Sequence, residues 1–256
     1  MYSSESEMFD LIQAERVRII TNSAFGSDRI LGAILFEDTL DRKINGQGVA
    51  EYLWNEKGIL PFVKIDKGLQ AERDGVQLMR GIPALNRLLT RIRSAGALGT
   101  KERSVIHSAN SNGINQLVAQ QFELGERVLA AGLVPILEPE IDINASDKVA
   151  AEAMLKEGIL ERLEALGDRR VAIKVTLPSV DDFYADLVSH PNVVRVLALS
   201  GGYRRGDANV RLSGNHGLIA SFSRALLEGL TAQQRDDEFD QVLDGSIESI
   251  YRASIT

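Results

Sequence analysis

Lys174 stands at the centre of "VAIKVTLP" (171–178), a run apolar enough to read as a buried β-strand. An ammonium taken out of water without a partner is strongly disfavoured, so a lysine there calls for a chemical reason. Two further apolar runs carry charges in the same way: "LPFVKID" holds Lys64 and Asp66, and "LVPILEPEI" holds Glu138 and Glu140. Side chains alternate across a strand, which puts Lys64 with Asp66, Glu138 with Glu140, and Lys174 with Thr176 on shared faces. Three strands thereby offer ionisable groups at one level, near their C-terminal ends. A lysine surrounded by cations or apolar surface loses proton affinity, and its free amine can attack a carbonyl to form a Schiff base. The two glutamates flanking Pro139 can then divide proton transfer and lysine positioning between them. They can equally do no more than balance two lysines, and spacing alone does not separate these readings.

A second group suits phosphate. "LALSGGYRR" runs from an apolar stretch into Ser200-Gly201-Gly202, where backbone N–H groups stand clear of side chains, and "ASFSRA" brings Arg224 to the end of the following stretch. Motifs for other chemistries are missing. There is no G-x-G-x-x-G after a strand, no G-x-x-x-x-G-K-[ST] and no G-x-S-x-G. The chain has no cysteine, so thiol nucleophiles, disulfides and thiolate metal sites are excluded, and His107, His190 and His216 are too scattered to suggest a histidine zinc site. No metal and no cofactor is expected.

The elements that must position these residues alternate regularly. Apolar runs at 32–38, 60–66, 103–109, 133–141, 170–177, 193–202 and 218–225 read as strands of a covered parallel sheet. Between them lie amphipathic stretches, one from an N-cap at Asn112 to Gly132 and one from Asn144 or Ser146 to Gly167. This is the βα repeat of an α/β fold, whose ligand rim lies at the C-terminal strand ends. No linker or low-complexity tract divides residues 1–256, which are expected to form one domain. Ser4 and Glu7 form a capping box ahead of Met8 and Phe9, so the first recognisable element is a helix. Seven strands are visible where eight close a barrel. Either the sheet is open, or a first strand is absent from this sequence.

Composition fits a globular protein, with 44% hydrophobic and 25% charged residues among 256. A net charge of −7 argues against nucleic-acid binding. No signal peptide and no long apolar run is present, so no membrane association and a cytoplasmic location are expected.

Taken in order, "LPFVKIDKGL", "GTKERS", "GLVPILEPEI", "AIKVTLP", "LALSGGY" and "SFSRAL" resemble the class I fructose-bisphosphate aldolases in their bacterial form, over nearly the whole chain. The resemblance implies a (β/α)8 TIM barrel and a metal-independent glycolytic lyase. Such an enzyme reversibly cleaves fructose 1,6-bisphosphate, a small phosphosugar, into dihydroxyacetone phosphate and glyceraldehyde 3-phosphate. It further implies that Lys174 forms the imine, that Glu138 moves protons, and that Glu140 orients the lysines. Lys101 would assist at the C4 hydroxyl, and Arg103 with Lys64 would face the far phosphate. Ser200, Gly201, Gly202, Ser223 and Arg224 would cradle the phosphate nearer the imine, Ser223 standing where the family has glycine. Asp66 matches an active-site aspartate.

One departure is plain. Nothing like the family's opening strand, with its aspartate and Ser-Gly-Gly-like turn, precedes Met1-Tyr2. A chain of these residues alone is expected to close poorly and to cleave carbon–carbon bonds weakly while still forming an imine, unless the natural protein carries a further N-terminal segment. The competing readings are a Schiff-base aldolase for another phosphosugar and a non-catalytic barrel scaffold. Oligomeric state is left open.

Overall fold

A computed structural model describes residues 5–256, with side chains from residue 10 onward. The proposed capping residue Ser4 and the side chain of Glu7 lie outside the described residues, although a helix, α1 (Glu5–Thr21), does come first. After it the chain forms β1 (Gly32–Leu35), α2 (Glu37–Leu40), a small hairpin of β2 (Lys43–Ile44) and β3 (Gln47–Gly48), α3 (Val49–Asn55), β4 (Leu60–Lys64), β5 (Val76–Gln77) and α4 (Leu85–Ser94). There follow β6 (Gly99–Ile106), α5 (Ser111–Ala130), β7 (Val134–Ile141), α6 (Lys148–Glu164), β8 (Val171–Thr176) and α7 (Ala185–Ser189). The chain ends with β9 (Val193–Leu199), α8 (Arg205–Ser213), β10 (Leu218–Ala220), α9 (Arg224–Leu227) and α10 (Asp236–Ser254).

The main sheet runs β1-β4-β6-β7-β8-β9-β10, all parallel, with β5 antiparallel to the end of β6. Each strand lies beside its successor, with helices between, which is the order of a (β/α)8 barrel. Helices flanking the two ends of the path meet: Arg18 of α1 reaches Asp236 of α10 at 2.7 Å, and Arg29, just before β1, reaches Asp244 and Glu248 at 2.7 and 3.2 Å. The sheet is therefore curled, not flat.

Alternation explains where the core lies. Val63 and Ile65, Leu137 and Ile141, Ile173 and Val175, and Val196 and Ala198 all turn outward and are buried under the helices. The opposite faces of the same strands carry Lys64, Glu138, Glu140, Lys174 and Thr176. Burial of the outward apolar set, at about 25 cal/mol per Å² removed from water, holds the scaffold, so the inward face is free to be polar.

Local details differ from the sequence expectations for identifiable reasons. The β6 strand begins at Gly99, not at residue 103, because polar residues on both of its faces hide the periodicity. The α5 helix is capped by Asn110, whose side chain accepts from Gly113 N at 3.0 Å, so Asn112 lies within the first turn. The α6 helix starts after Asp147, whose carboxylate instead accepts from Ala109 N at 2.9 Å. Gly132 and Gly167 do follow their helices with φ of +75° and +60°. Among the described residues no helix is long and apolar enough to cross a membrane.

Candidate active site

Register sets the geometry. Lys64 of β4 pairs with Lys101 of β6, and Arg103 of β6 with Glu138 of β7. The last recorded rung between β7 and β8 is Leu137–Ile173, which puts Glu138 and Lys174 next along their strands. Their side chains meet inside the curl, with Lys174 Nζ 2.9 Å from Glu138 Oε1 and Lys101 Nζ 2.7 Å from Glu138 Oε2. Lys174, Glu138 and Lys101 are all buried.

Asp66 lies two residues past the end of β4, in the exit loop and not on the strand. Its carboxylate takes Lys64 Nζ at 2.7 Å, the backbone N–H of Arg103 at 3.3 Å and Lys101 Nζ at 3.6 Å. Arg103 Nε donates to Glu140 at 2.5 Å. Four cations, Lys64, Lys101, Arg103 and Lys174, thus face three carboxylates, Asp66, Glu138 and Glu140, a surplus of one positive charge suited to an anionic substrate.

Burial pushes the Lys174 amine below the ordinary lysine value; Glu138 opposes that shift and Lys101 adds to it. For Glu138 burial acts upward, but the ammoniums of Lys174 and Lys101 together outweigh it and hold the carboxyl below its ordinary value. Each oxygen of the Glu138 carboxylate thus faces one ammonium, Oε1 that of Lys174 and Oε2 that of Lys101. An ionised carboxylate touching an amine whose proton is loosely held is equipped to shuttle protons.

The phosphate candidates sit at the ends of the last two strands. Ser200 is buried, Gly201 and Gly202 have φ of +61° and +121°, and Tyr203 N closes the turn on Ser200 O at 2.9 Å. A Cβ on Gly201 would lie 2.6 Å from Ile143 Cγ2, so both conformation and space require glycine there. Ser223 and Arg224 are exposed and lie beyond β10, Ser223 preceding α9 and Arg224 beginning it, and not on the strand as expected. Lys64 and Arg103, expected at the far phosphate, are both engaged by carboxylates in this structure.

Two residues here carry roles beyond those expected. Thr176 shares the face of Lys174 and is hydrogen-bonded through its hydroxyl to the backbone of Ile141, and the sequence signal for this is Pro139, which deprives a strand of an N–H. Glu102, between Lys101 and Arg103, is fully buried against α5 on the outer side of β6. Gln121 Nε2 donates there to Glu102 O at 3.2 Å and to Ser104 Oγ at 2.7 Å. Among the described residues no three His, Cys, Asp or Glu side chains converge to hold a metal ion.

A family profile described as "Fructose-bisphosphate aldolase class-I" matches residues 13–181. The chain is 55% identical over 256 residues to "Fructose-bisphosphate aldolase class 1" of Synechocystis sp., covering 100% of this chain and 85% of that protein. It is 52% identical over 256 residues to the protein of the same description from Clostridium acetobutylicum, covering 100% and 87%. In structure it resembles the fructose-bisphosphate aldolase of Plasmodium falciparum, solved with TRAP and a small-molecule inhibitor, with a TM-score of 0.78 at 22% identity over 97% of this chain and 83% of the other.

Proposed function

Since the chain belongs to the class I fructose-bisphosphate aldolases, a family of lyases, we propose that Lys174 is the amine through which it reversibly cleaves fructose 1,6-bisphosphate into dihydroxyacetone phosphate and glyceraldehyde 3-phosphate. The observation that carries this assignment is the buried contact of Lys174 with Glu138, which gives a loosely protonated amine an immediate proton acceptor.

Glu138 takes the Lys174 proton, and the freed nitrogen lone pair attacks the C2 ketone while the carbonyl pair moves to oxygen. The alkoxide takes a proton from the newly bonded nitrogen to give the carbinolamine, whose hydroxyl takes the proton held on Glu138 and leaves as water, so that a protonated imine remains. Electrons of the C3–C4 bond then flow into the imine as the C4 hydroxyl loses its proton and glyceraldehyde 3-phosphate departs. Asp66 and Glu138, the two carboxylates held at Lys101, are the acceptors these residues offer for that proton. Protonation of the enamine at C3 and attack of water on the imine release dihydroxyacetone phosphate and restore the amine. Throughout, the cations around the site stabilise charge that develops on oxygen.

In binding, the Ser200–Gly202 turn with Arg224 receives the phosphate nearer the imine. Lys64 and Arg103, exchanging a carboxylate for a phosphate oxygen, receive the other. Reduction with borohydride in the presence of dihydroxyacetone phosphate tests the assignment: a mass adduct on the peptide containing Lys174 is expected, and a folded protein left unmodified there overturns it.

A further inference from the structure

Recorded pairing between β7 and β8 stops at Leu137–Ile173, one residue before Glu138 and Lys174, and Pro139 brings no N–H with which to resume it. Beyond this break the two strands are joined by a side chain. Thr176 Oγ1 donates to Ile141 O at 2.7 Å and accepts from Ile141 N at 2.8 Å, and Thr176 is fully buried. On its other side the backbone of Thr176 is in register with Leu199 of β9, one residue before Ser200. Its methyl points to the glycine turn, since a Cβ on Gly201 would lie 3.6 Å from Thr176 Cγ2.

We propose that Thr176 is a positioning residue of the aldol reaction: its hydroxyl ties the strand of Lys174 to that of Glu138 across the break, and its methyl supports the Gly201 turn. The proposal rests on the assignment of Lys174 as the imine-forming amine. A break in the ladder leaves room for two charged side chains to meet, but it also removes the backbone bonds that would hold them at 2.9 Å. Threonine supplies both halves of the remedy, a hydroxyl that gives and takes one hydrogen bond and a methyl aimed the other way. Valine keeps the shape without the hydroxyl, and serine keeps the hydroxyl without the methyl. Misplacement of reacting groups by about 1 Å can slow a reaction by roughly 100-fold, so the two halves are separable in kinetics.

The experiment measures the rate of borohydride-trappable imine formation with dihydroxyacetone phosphate, as a function of pH, for the full chain and for Thr176→Val and Thr176→Ser. Thr176→Val is expected to slow trapping by about 10- to 100-fold and to move its pH profile, with the substrate concentration at half-maximal rate changing little. Thr176→Ser is expected to trap within about twofold of the parent rate while needing several-fold more substrate. Should Thr176→Val not fold, the serine variant still decides, because a loss of maximal rate at unchanged substrate requirement in that variant overturns the proposal. So does a folded Thr176→Val that traps at the parent rate with an unmoved pH profile. A parent protein that forms no adduct at Lys174 overturns the underlying assignment instead, and this one with it.

Discussion

Lys174 Nζ lies 2.9 Å from Glu138 Oε1, and the two residues stand at the point where the rungs between their strands stop. Proximity and burial act against each other here. Attraction between the charges favours the ion pair, whereas loss of water penalises both ions, and the resultant is an amine that surrenders its proton more readily than an ordinary lysine.

The imine-trapping rate should therefore rise with pH through a midpoint below 10.5, the ordinary lysine value. The same shift acts on stability. Between the depressed folded value and 10.5 the unfolded chain binds more protons than the folded one, so this group makes stability increase with pH across that window. Lys174→Met removes the nucleophile and should lower turnover by on the order of 1000-fold or more, while leaving the melting temperature equal or higher because a disfavoured buried amine is gone. A clearly less stable folded variant in thermal melts would count against that balance.

Glu138 should behave in the opposite way. Glu138→Ala leaves Lys101 and Lys174 facing each other without their shared carboxylate, and at neutral pH this should cost about 3–5 kcal/mol in urea denaturation. The penalty should shrink as pH rises through the Lys174 value, since one of the two charges disappears. Glu138→Gln keeps the shape, loses the proton acceptor, and should slow turnover by about 100- to 10,000-fold.

How much of this could be read beforehand varied with the periodicity of each segment. The β8 strand was legible because Ile173 and Val175 alternate with Lys174 and Thr176, so strand, face and reactive group emerged together. The parallel order of the strands follows from the spacing of such runs, whereas spacing leaves an open sheet and a curled one equally available and only the family resemblance implies the curl. The start of β6 was not legible, since Thr100, Glu102 and Ser104 face α5 while Lys101 and Arg103 face the site, and a strand polar on both sides has no hydrophobic period. Asp66 lies beside Lys64 and Lys101 but in the exit loop and not on the strand, because alternation does not show where hydrogen bonding ends. Arg224 lies one element beyond the expected strand for a similar reason: β10 is only three residues long.

Gly201 should be intolerant of any side chain. At φ +61° an L-residue is disfavoured by about 1–2 kcal/mol, and its Cβ would meet Ile143 Cγ2 at 2.6 Å. Gly201→Ala is expected to raise KM for the bisphosphate several-fold by displacing the turn. Adding Ile143→Ala should recover part of that loss by removing the colliding methyl but not the strained φ, so the double variant should fall between the parent and Gly201→Ala. If Ile143→Ala brings no recovery, the contact does not shape the turn.

Glu102 offers the sharpest pH signature outside the site. Burial raises its carboxyl to about 8, against a smaller downward pull from the Thr100 hydroxyl that donates to Oε1. Oε2 has no hydrogen-bond partner among the described residues, and neither does Gln121 Oε1 in the same polar cluster. A protonated Glu102 carries a donor of its own and avoids the charge that burial penalises, which is why the neutral acid suits this position. Between 4.5, the ordinary glutamate value, and about 8 the folded protein retains a proton that the unfolded chain has lost, so stability falls as pH rises and levels off above about 8. Across that window the loss from this one group is on the order of 5 kcal/mol. Glu102→Gln cannot ionise, and its amide can donate where the protonated acid would. Urea denaturation from pH 5 to 9 should show the parent losing stability relative to Glu102→Gln as pH rises, with the difference constant above about pH 8. Parallel curves throughout would mean that Glu102 titrates at an ordinary value and that its cluster is satisfied in some other way.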